Sequence, residues 1–249
     1  TGSLKVGVSK TAITPDVETW TDTNGNGRWD SSEEFDDLNG NGVWDPVWIA
    51  GFGTGRAANG IHDDIWARVL TFEKGDTKVA LVSLDLVGFF HPDVLALRLA
   101  AKQAGLDFDH IVVASTHQHE GPDTMGIWGR SSFETGYDPE YISYLIGKTV
   151  EGLAEADSVA EPVDMKVGIG EAAHLVTDTR LPEVIDQSVY ALNFERSDKS
   201  VLASLIVWGN HPEALGSRNK LITSDFPHYL RERLETKQPG STAVYFSGI

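Results

Sequence analysis

The 249-residue chain carries 20 Lys and Arg against 37 Asp and Glu, a formal charge of -17 with a pI near 4.7. Such a surface repels phosphate backbones, so no nucleic-acid partner is expected. The absence of cysteine excludes disulfides and thiol chemistry, and no apolar run approaches the roughly 20 residues needed to cross a bilayer.

A first strand is predicted over 4–9, where Val and Leu alternate with polar residues. A repeat follows. Asp22-Thr23-Asn24-Gly25-Asn26-Gly27-Arg28-Trp29-Asp30 recurs fifteen residues later as Asp37-Leu38-Asn39-Gly40-Asn41-Gly42-Val43-Trp44-Asp45. Oxygen-bearing side chains at positions 1, 3, 5 and 9 with Gly at 6 match a calcium loop of EF-hand type. The first copy predicts Ca2+ ligation by Asp22, Asn24, Asn26, Asp30 and Glu33, with Arg28 contributing through its backbone. The second predicts Asp37, Asn39, Asn41 and Asp45, with Val43 through its backbone. Its twelfth position is Trp48, so Glu34 or Asp36 is expected to close it. Two in-register copies favour calcium over a pair of Asn-Gly turns. The insertion over 20–50 is read as lacking the apolar residues to fold by itself, so calcium is expected to hold it, at the millimolar level found outside cells.

Further strands are predicted over 65–73, 78–87, 110–115, 163–169, 188–194, 201–208 and 242–246, rich in Val, Ile and Leu and bounded by Gly or Asp turns. Helices are predicted over 92–104, from Asp138 with Pro139 in its first turn, and from 223–225, where Phe226, Leu230 and Leu234 recur every four residues. Interleaved helices and strands predict a single α/β domain over 1–249, with mixed sheets, flanking helices and the calcium-binding loop insertion.

Chemistry concentrates at strand ends. The apolar run Ile111-Val112-Val113 leads into Ala114-Ser115-Thr116-His117-Gln118-His119-Glu120-Gly121-Pro122. In extended chain, residues i and i+2 point the same way, so His117 and His119 should lean over one spot while Gln118 faces away. The pair is either a ligand pair or part of a polar loop. A second apolar strand ends in Asn210-His211-Pro212, and a Gly turn before a third strand carries His62, Asp63 and Asp64. Histidines converging from separate strand ends are a usual way to hold a catalytic zinc with one position open. A lone histidine at a strand end is more often a hydrogen-bonded structural residue. The two histidine-bearing ends together favour metal.

These segments resemble those of a known family. "VGVSKTAITP" (6–15), "GIHDDIWARVLTFE" (60–73), "VVASTHQHEGP" (112–122), "LIVWGNHPEAL" (205–215) and "LITSDFPHYLRERLE" (221–235) are similar to segments of the neutral (non-lysosomal) ceramidases, along nearly the whole chain. The resemblance implies that His117 and His211 ligate Zn2+ and that His119 lies beside the metal to polarise the substrate carbonyl. His62, Asp63 and Asp225 are implied as supporting groups, Asp225 being alternatively only a helix cap. The implied reaction is hydrolysis of a lipid-like N-acyl amide by a secreted, zinc-dependent, calcium-stabilised enzyme. Glu120 stands where the family has a small Ser, and Pro122-Asp123-Thr124 where it has Pro-Gly-Gly. The family takes a Glu and a Tyr ligand from further downstream, so a C-terminal part or a second chain is expected to complete the site. A reading of a different class is an extracellular calcium-stabilised structural or assembly protein, self-associating on a hydrolase-derived fold.

Overall fold

A computed structural model describes residues 3–248. Strands β1 (Lys5–Ala12), β2 (Trp66–Lys74) and β3 (Thr77–Leu84) form an antiparallel meander. The turn at Gly75, with φ +62°, reverses the chain between β2 and β3. Helix α1 (His91–Gln103) then crosses over, so that β4 (His110–Ser115) lies parallel to β3. With the two-residue β5 (Glu161–Pro162) the sheet order is β4-β3-β2-β1-β5. Helix α2 (Pro139–Ser158) packs across β1 and β2, where Ser9 Oγ donates to the Gly152 carbonyl at 2.7 Å. Its start is as expected, with Asp138 accepting from the Glu140 N–H and Pro139 at N1.

The second sheet repeats the device. Strands β6 (Asp164–Glu171), β7 (Ser188–Glu195) and β8 (Val201–Trp208) run antiparallel, and α3 (Phe226–Lys237) crosses over to place β9 (Thr242–Ser247) parallel to β8. Val6 and Leu70 of the first sheet pack against Phe194, Leu202, Leu205 and Val244 of the second. The outer face of the first sheet buries Leu97, Leu145 and Leu153 of α1 and α2, and the second sheet packs on α3. The mixed sheets and flanking helices are as the sequence predicted, and the structure stacks them as an α–β–β–α sandwich. The strand predicted over 78–87 ends earlier, at Leu84. Among the described residues no helix is long and apolar enough to cross a membrane.

The loops that follow β4 and β8 end near one another, and a buried ion pair ties the chain just beyond β3 to α3. Arg231 of α3 donates to both carboxylate oxygens of Asp85, just beyond β3, at 2.7 and 2.8 Å. Asp85 also accepts from Trp66 N–H and Ser224 Oγ. Pairs this deeply buried add little net stability, because desolvation offsets attraction, but removing one partner is costly.

The duplicated loops are related to each other by a local two-fold. Trp20 bridges Phe35, Thr21 N–H donates to Glu34 O, and Asp36 N–H donates to Thr19 O. In the first copy Asp22 accepts from the N–H groups of Gly25, Asn26 and Gly27, and Asp37 does the same for Gly40, Asn41 and Gly42. The backbone N–H groups of Arg28 and Val43 donate to Asn26 and Asn41. Glu33 accepts from the Thr23 and Asp30 N–H groups. The equivalent carboxylate in the second copy is neither Glu34 nor Asp36. It is Glu18, which accepts from Leu38 and Asp45. Glu18 precedes Glu33 by one repeat length, so each copy's leading glutamate closes the other copy's loop. The segment is also less bare of apolar surface than expected: Trp20, Trp29, Phe35, Trp44, Trp48 and Ala57 form a small aromatic core, with Trp29 and Trp44 stacked at 4.7 Å.

A candidate metal centre

The loops after β4 and β8 bring His117, His119 and His211 together, each offering a ring nitrogen within 4.8 Å of the others. Ring centroids lie 4.5 to 5.2 Å apart. The pairing of His117 with His119 is reached by a route other than strand alternation. β4 stops at Ser115, and His117 takes a left-handed φ of 66°, a conformation that is sparsely populated outside glycine. Gln118 does not face solvent. It is fully buried, donates to Asp85 O at 2.7 Å, and accepts from Glu120 N–H. Its side chain staples the loop from inside and lets both histidines turn to the same side.

Each imidazole is prepared differently. His117 Nδ1 lies 2.6 Å from the Val87 carbonyl. A carbonyl only accepts, so Nδ1 carries the proton and Nε2 keeps its lone pair. His211 Nδ1 stands 3.3 Å from a Glu213 oxygen, whose other oxygen is 3.6 Å from His119 Nδ1. His119 is buried, and neither of its ring nitrogens has a hydrogen-bond partner among the described residues. Burial, then the imidazoles of His211 and His117, hold its pKa down at about 4, which leaves a neutral ring at pH 7. Orphaned buried nitrogens are costly unless something binds them. Three imidazoles gathered this closely fit a divalent cation of the zinc type at Zn–N bonds of about 2.0 to 2.1 Å.

The ring of His119 is seated by shape. Gly51 lies against it with φ +116°, a position where a Cβ would stand 2.5 Å from His119 Cβ, and Phe52 meets the ring edge-on at 5.0 Å. Behind it, Arg56 donates to the carbonyls of Ala50 and His119, to Glu120 at 2.6 Å and to Asn219 O. Glu120 is fully buried and also accepts from Asn219 Nδ2. Burial pushes its carboxyl up to about 7, against the pull of the Asn219 hydrogen bond and Arg56. Thus Glu120, at the expected pocket mouth, is drawn into the wall behind the histidines.

Other predicted residues fall elsewhere. His62 pairs with Asp63 at 2.8 Å, and Asp63 also faces His228 at 3.3 Å and accepts from Thr223 Oγ. The three-histidine group does not include His62. Asp225 caps α3 through one oxygen, accepting from Phe226 N–H at 2.6 Å, and its other oxygen accepts from Leu215 N–H at 3.4 Å in the loop after β8. His119, expected beside the metal, offers a nitrogen on equal terms with His117 and His211. Sequence reading missed Gly51, Arg56 and Glu213. Glu213 had a visible signal, two residues after His211, whereas Arg56 lies 63 residues from His119 in the chain and carries no local motif.

A sandwich of two mixed sheets with helices outside, and histidines gathered from two strand ends, defines the class: a ceramidase fold bearing a candidate metal centre. No family model matches the chain. Its sequence is 24% identical over 208 residues to the neutral ceramidase of Pseudomonas aeruginosa, covering 75% of this chain and 31% of that protein. Two solved structures match its fold. A ceramidase complexed with C2 gives a TM-score of 0.74 at 19% identity, covering 98% of this chain and 37% of that one. The crystal structure of the neutral ceramidase from Pseudomonas aeruginosa gives 0.73 at 20% identity, covering 98% and 38%. Sequence and fold both resemble those of neutral ceramidases, and the chain spans about a third of the length of the relatives it matches.

Proposed function

We propose that the chain contributes a zinc-binding histidine cluster to a secreted hydrolase that cleaves the amide bond of a lipid-like N-acyl substrate. The observation that carries this reading is the convergence of three imidazoles, one of them buried with both nitrogens unpartnered. In this reading His117 and His211 hold the metal through nitrogens oriented by Val87 and Glu213. His119 sits with them, as a third ligand or as the group that meets the substrate carbonyl. When bound, zinc supplies Lewis-acid polarisation of an amide carbonyl. Phe52, 37% exposed beside His119, offers apolar surface to an acyl chain. Three histidines leave the coordination open, so a downstream part or a second chain can complete it.

The duplicated loops are proposed to bind two Ca2+ ions, with Glu18 in the twelfth-position role of the second loop. The support is the shared backbone arrangement of the two copies and the exchange of Glu18 and Glu33 between them. Millimolar affinity fits an extracellular setting.

Elemental analysis of purified protein, paired with hydrolysis of a fluorogenic N-acyl amide, is the test. The reading expects about one zinc per chain, lost together with turnover in His117→Ala and His211→Ala. Wild-type zinc content in both variants would end it. Full metal binding without turnover would confine the reading to the metal centre and call for the completing segment.

A further inference from the structure

A cavity whose lining includes none of the three histidines lies between the first of the duplicated loops and the segments around Gly55 and Arg130. Its volume is about 350 Å³, and its lining includes Trp29, Trp44, Trp48, Arg28, Ser31 and Arg130. Pockets of this size suit a ligand of roughly monosaccharide to small-drug dimensions. Trp29 and Trp44 donate their indole N–H groups inward, to the carbonyls of Glu33 and Glu18. The cavity therefore meets their apolar surfaces rather than their polar edges.

The charged groups are unusual for this molecule. In a chain of net charge -17, Arg28 has no carboxylate partner among the described residues, and Arg130 has only Glu134 at 3.8 Å, a long contact between exposed groups. Two arginines from separate segments thus line one cavity with few competing carboxylates. Guanidinium forks match carboxylates in geometry and charge. Ser31 adds a hydroxyl to the lining. These polar groups at an aromatic wall suit a ring with C–H faces, hydroxyls at its edge and one carboxylate.

We propose that this cavity binds a pyranose acid, with the ring against the tryptophan wall and the carboxylate on Arg28 and Arg130. The site is independent of the histidine cluster.

The wall contains three tryptophans, so intrinsic fluorescence reports occupancy. The full chain, in fixed calcium, is titrated with D-glucuronic acid, with D-glucose as the uncharged ring and acetate as the bare anion. Saturable quenching by glucuronic acid with a Kd of about 1 mM or tighter, at least about tenfold stronger than by glucose or acetate, is the expected result. Arg130→Ala, which leaves the duplicated loops untouched, should weaken it about tenfold, and Arg28→Ala likewise. Circular dichroism checks that both variants fold, and calorimetry repeats the titration. Equal affinity for glucose, equal affinity for acetate, no saturable binding, or unchanged binding in both folded variants would each overturn the proposal.

Discussion

Gly51→Ala adds one methyl group and tests whether packing alone aims His119. The new Cβ would stand 2.5 Å from His119 Cβ, 2.6 Å from Cγ and 2.9 Å from Nδ1. Carbon atoms rest about 3.5 to 4.0 Å apart, so the ring must retreat by about 1 Å. Zinc–nitrogen bonds tolerate only about 0.2 Å. A ring displaced this far leaves the shared spot, and zinc affinity should fall by about 100-fold or more, the upper end of what disturbed supporting residues produce. The backbone adds its own cost, since φ +116° suits glycine, and alanine there should lose about 1 to 3 kcal/mol of stability. Zinc titration calorimetry on chelator-stripped protein reads the affinity, and urea unfolding reads the stability. Gly53→Ala is the control. That position meets nothing within 4 Å and has no positive φ, so both readouts should stay near wild type, within about 0.5 kcal/mol. If Gly51→Ala binds zinc as tightly as wild type, the seat of the ring does not set the centre and the argument fails.

Arg56→Ala strands the buried carboxylate of Glu120 together with the carbonyls of Ala50, His119 and Asn219. Urea unfolding should show a loss of about 3 to 5 kcal/mol, and a loss below 1 kcal/mol would mean that water replaces the guanidinium. Glu18→Gln and Glu33→Gln should each cost about 1 to 3 kcal/mol and by similar amounts, because the two copies exchange equivalent contacts. A large effect of Glu33 with none of Glu18 would deny the exchange, and calcium titration by calorimetry should lose one site in each variant. Burial pushes the Glu235 carboxyl up, but Arg68, the Ala243 N–H and Lys10 together hold it below the ordinary value of 4.5. Its stabilisation is therefore complete above that value and is lost as pH falls through the lower folded one. Thermal melts should fall more steeply in acid for wild type than for Glu235→Gln, and parallel slopes would refute the assignment.

Strands and helices were readable because their apolar residues recur with periods set by the pleat and the helix turn. Ile142, Leu145 and Leu153 on α2, and the Val and Ile runs of β4 and β8, fall where those periods place them. The meeting of His117 with His211 was readable only as convergence of strand ends. The reason for it, two parallel crossovers pinned by Asp85 and Arg231, is a property of topology that no local spacing carries. Gln118 shows the same limit. Alternation turns it away from the histidines without saying toward what, and the structure shows the destination, with a left-handed His117 sending Gln118 inward to the Asp85 carbonyl. Glu18 is different. Its equivalence to Glu33 is written in the fifteen-residue period, but a loop motif read only forward from Asp37 passes over a carboxylate supplied from before Asp22.

Polar contacts link the duplicated loops to the histidines through a few residues. Asn59 donates to Trp20 O and accepts from Trp20 N–H, which fastens it to the two-fold axis of the loops. Its own N–H donates to Lys220 O. The neighbouring Asn219 reaches Glu120, and Arg56 joins Asn219, Glu120 and the carbonyl of His119. On the other flank Asp85 binds Arg231 through its carboxylate and Gln118 through its carbonyl. Two buried ion pairs thus bracket the short span from Gln118 to Glu120. Buried pairs contribute little net stability relative to apolar packing, so their placement is better understood as fixing one loop conformation. Each pair excludes alternatives in which a charge would be stranded. Because one bracket runs through Asn59 to the duplicated loops, loosening those loops should relax the His119 side of the centre before the His117 side, which hangs on Val87 and β3.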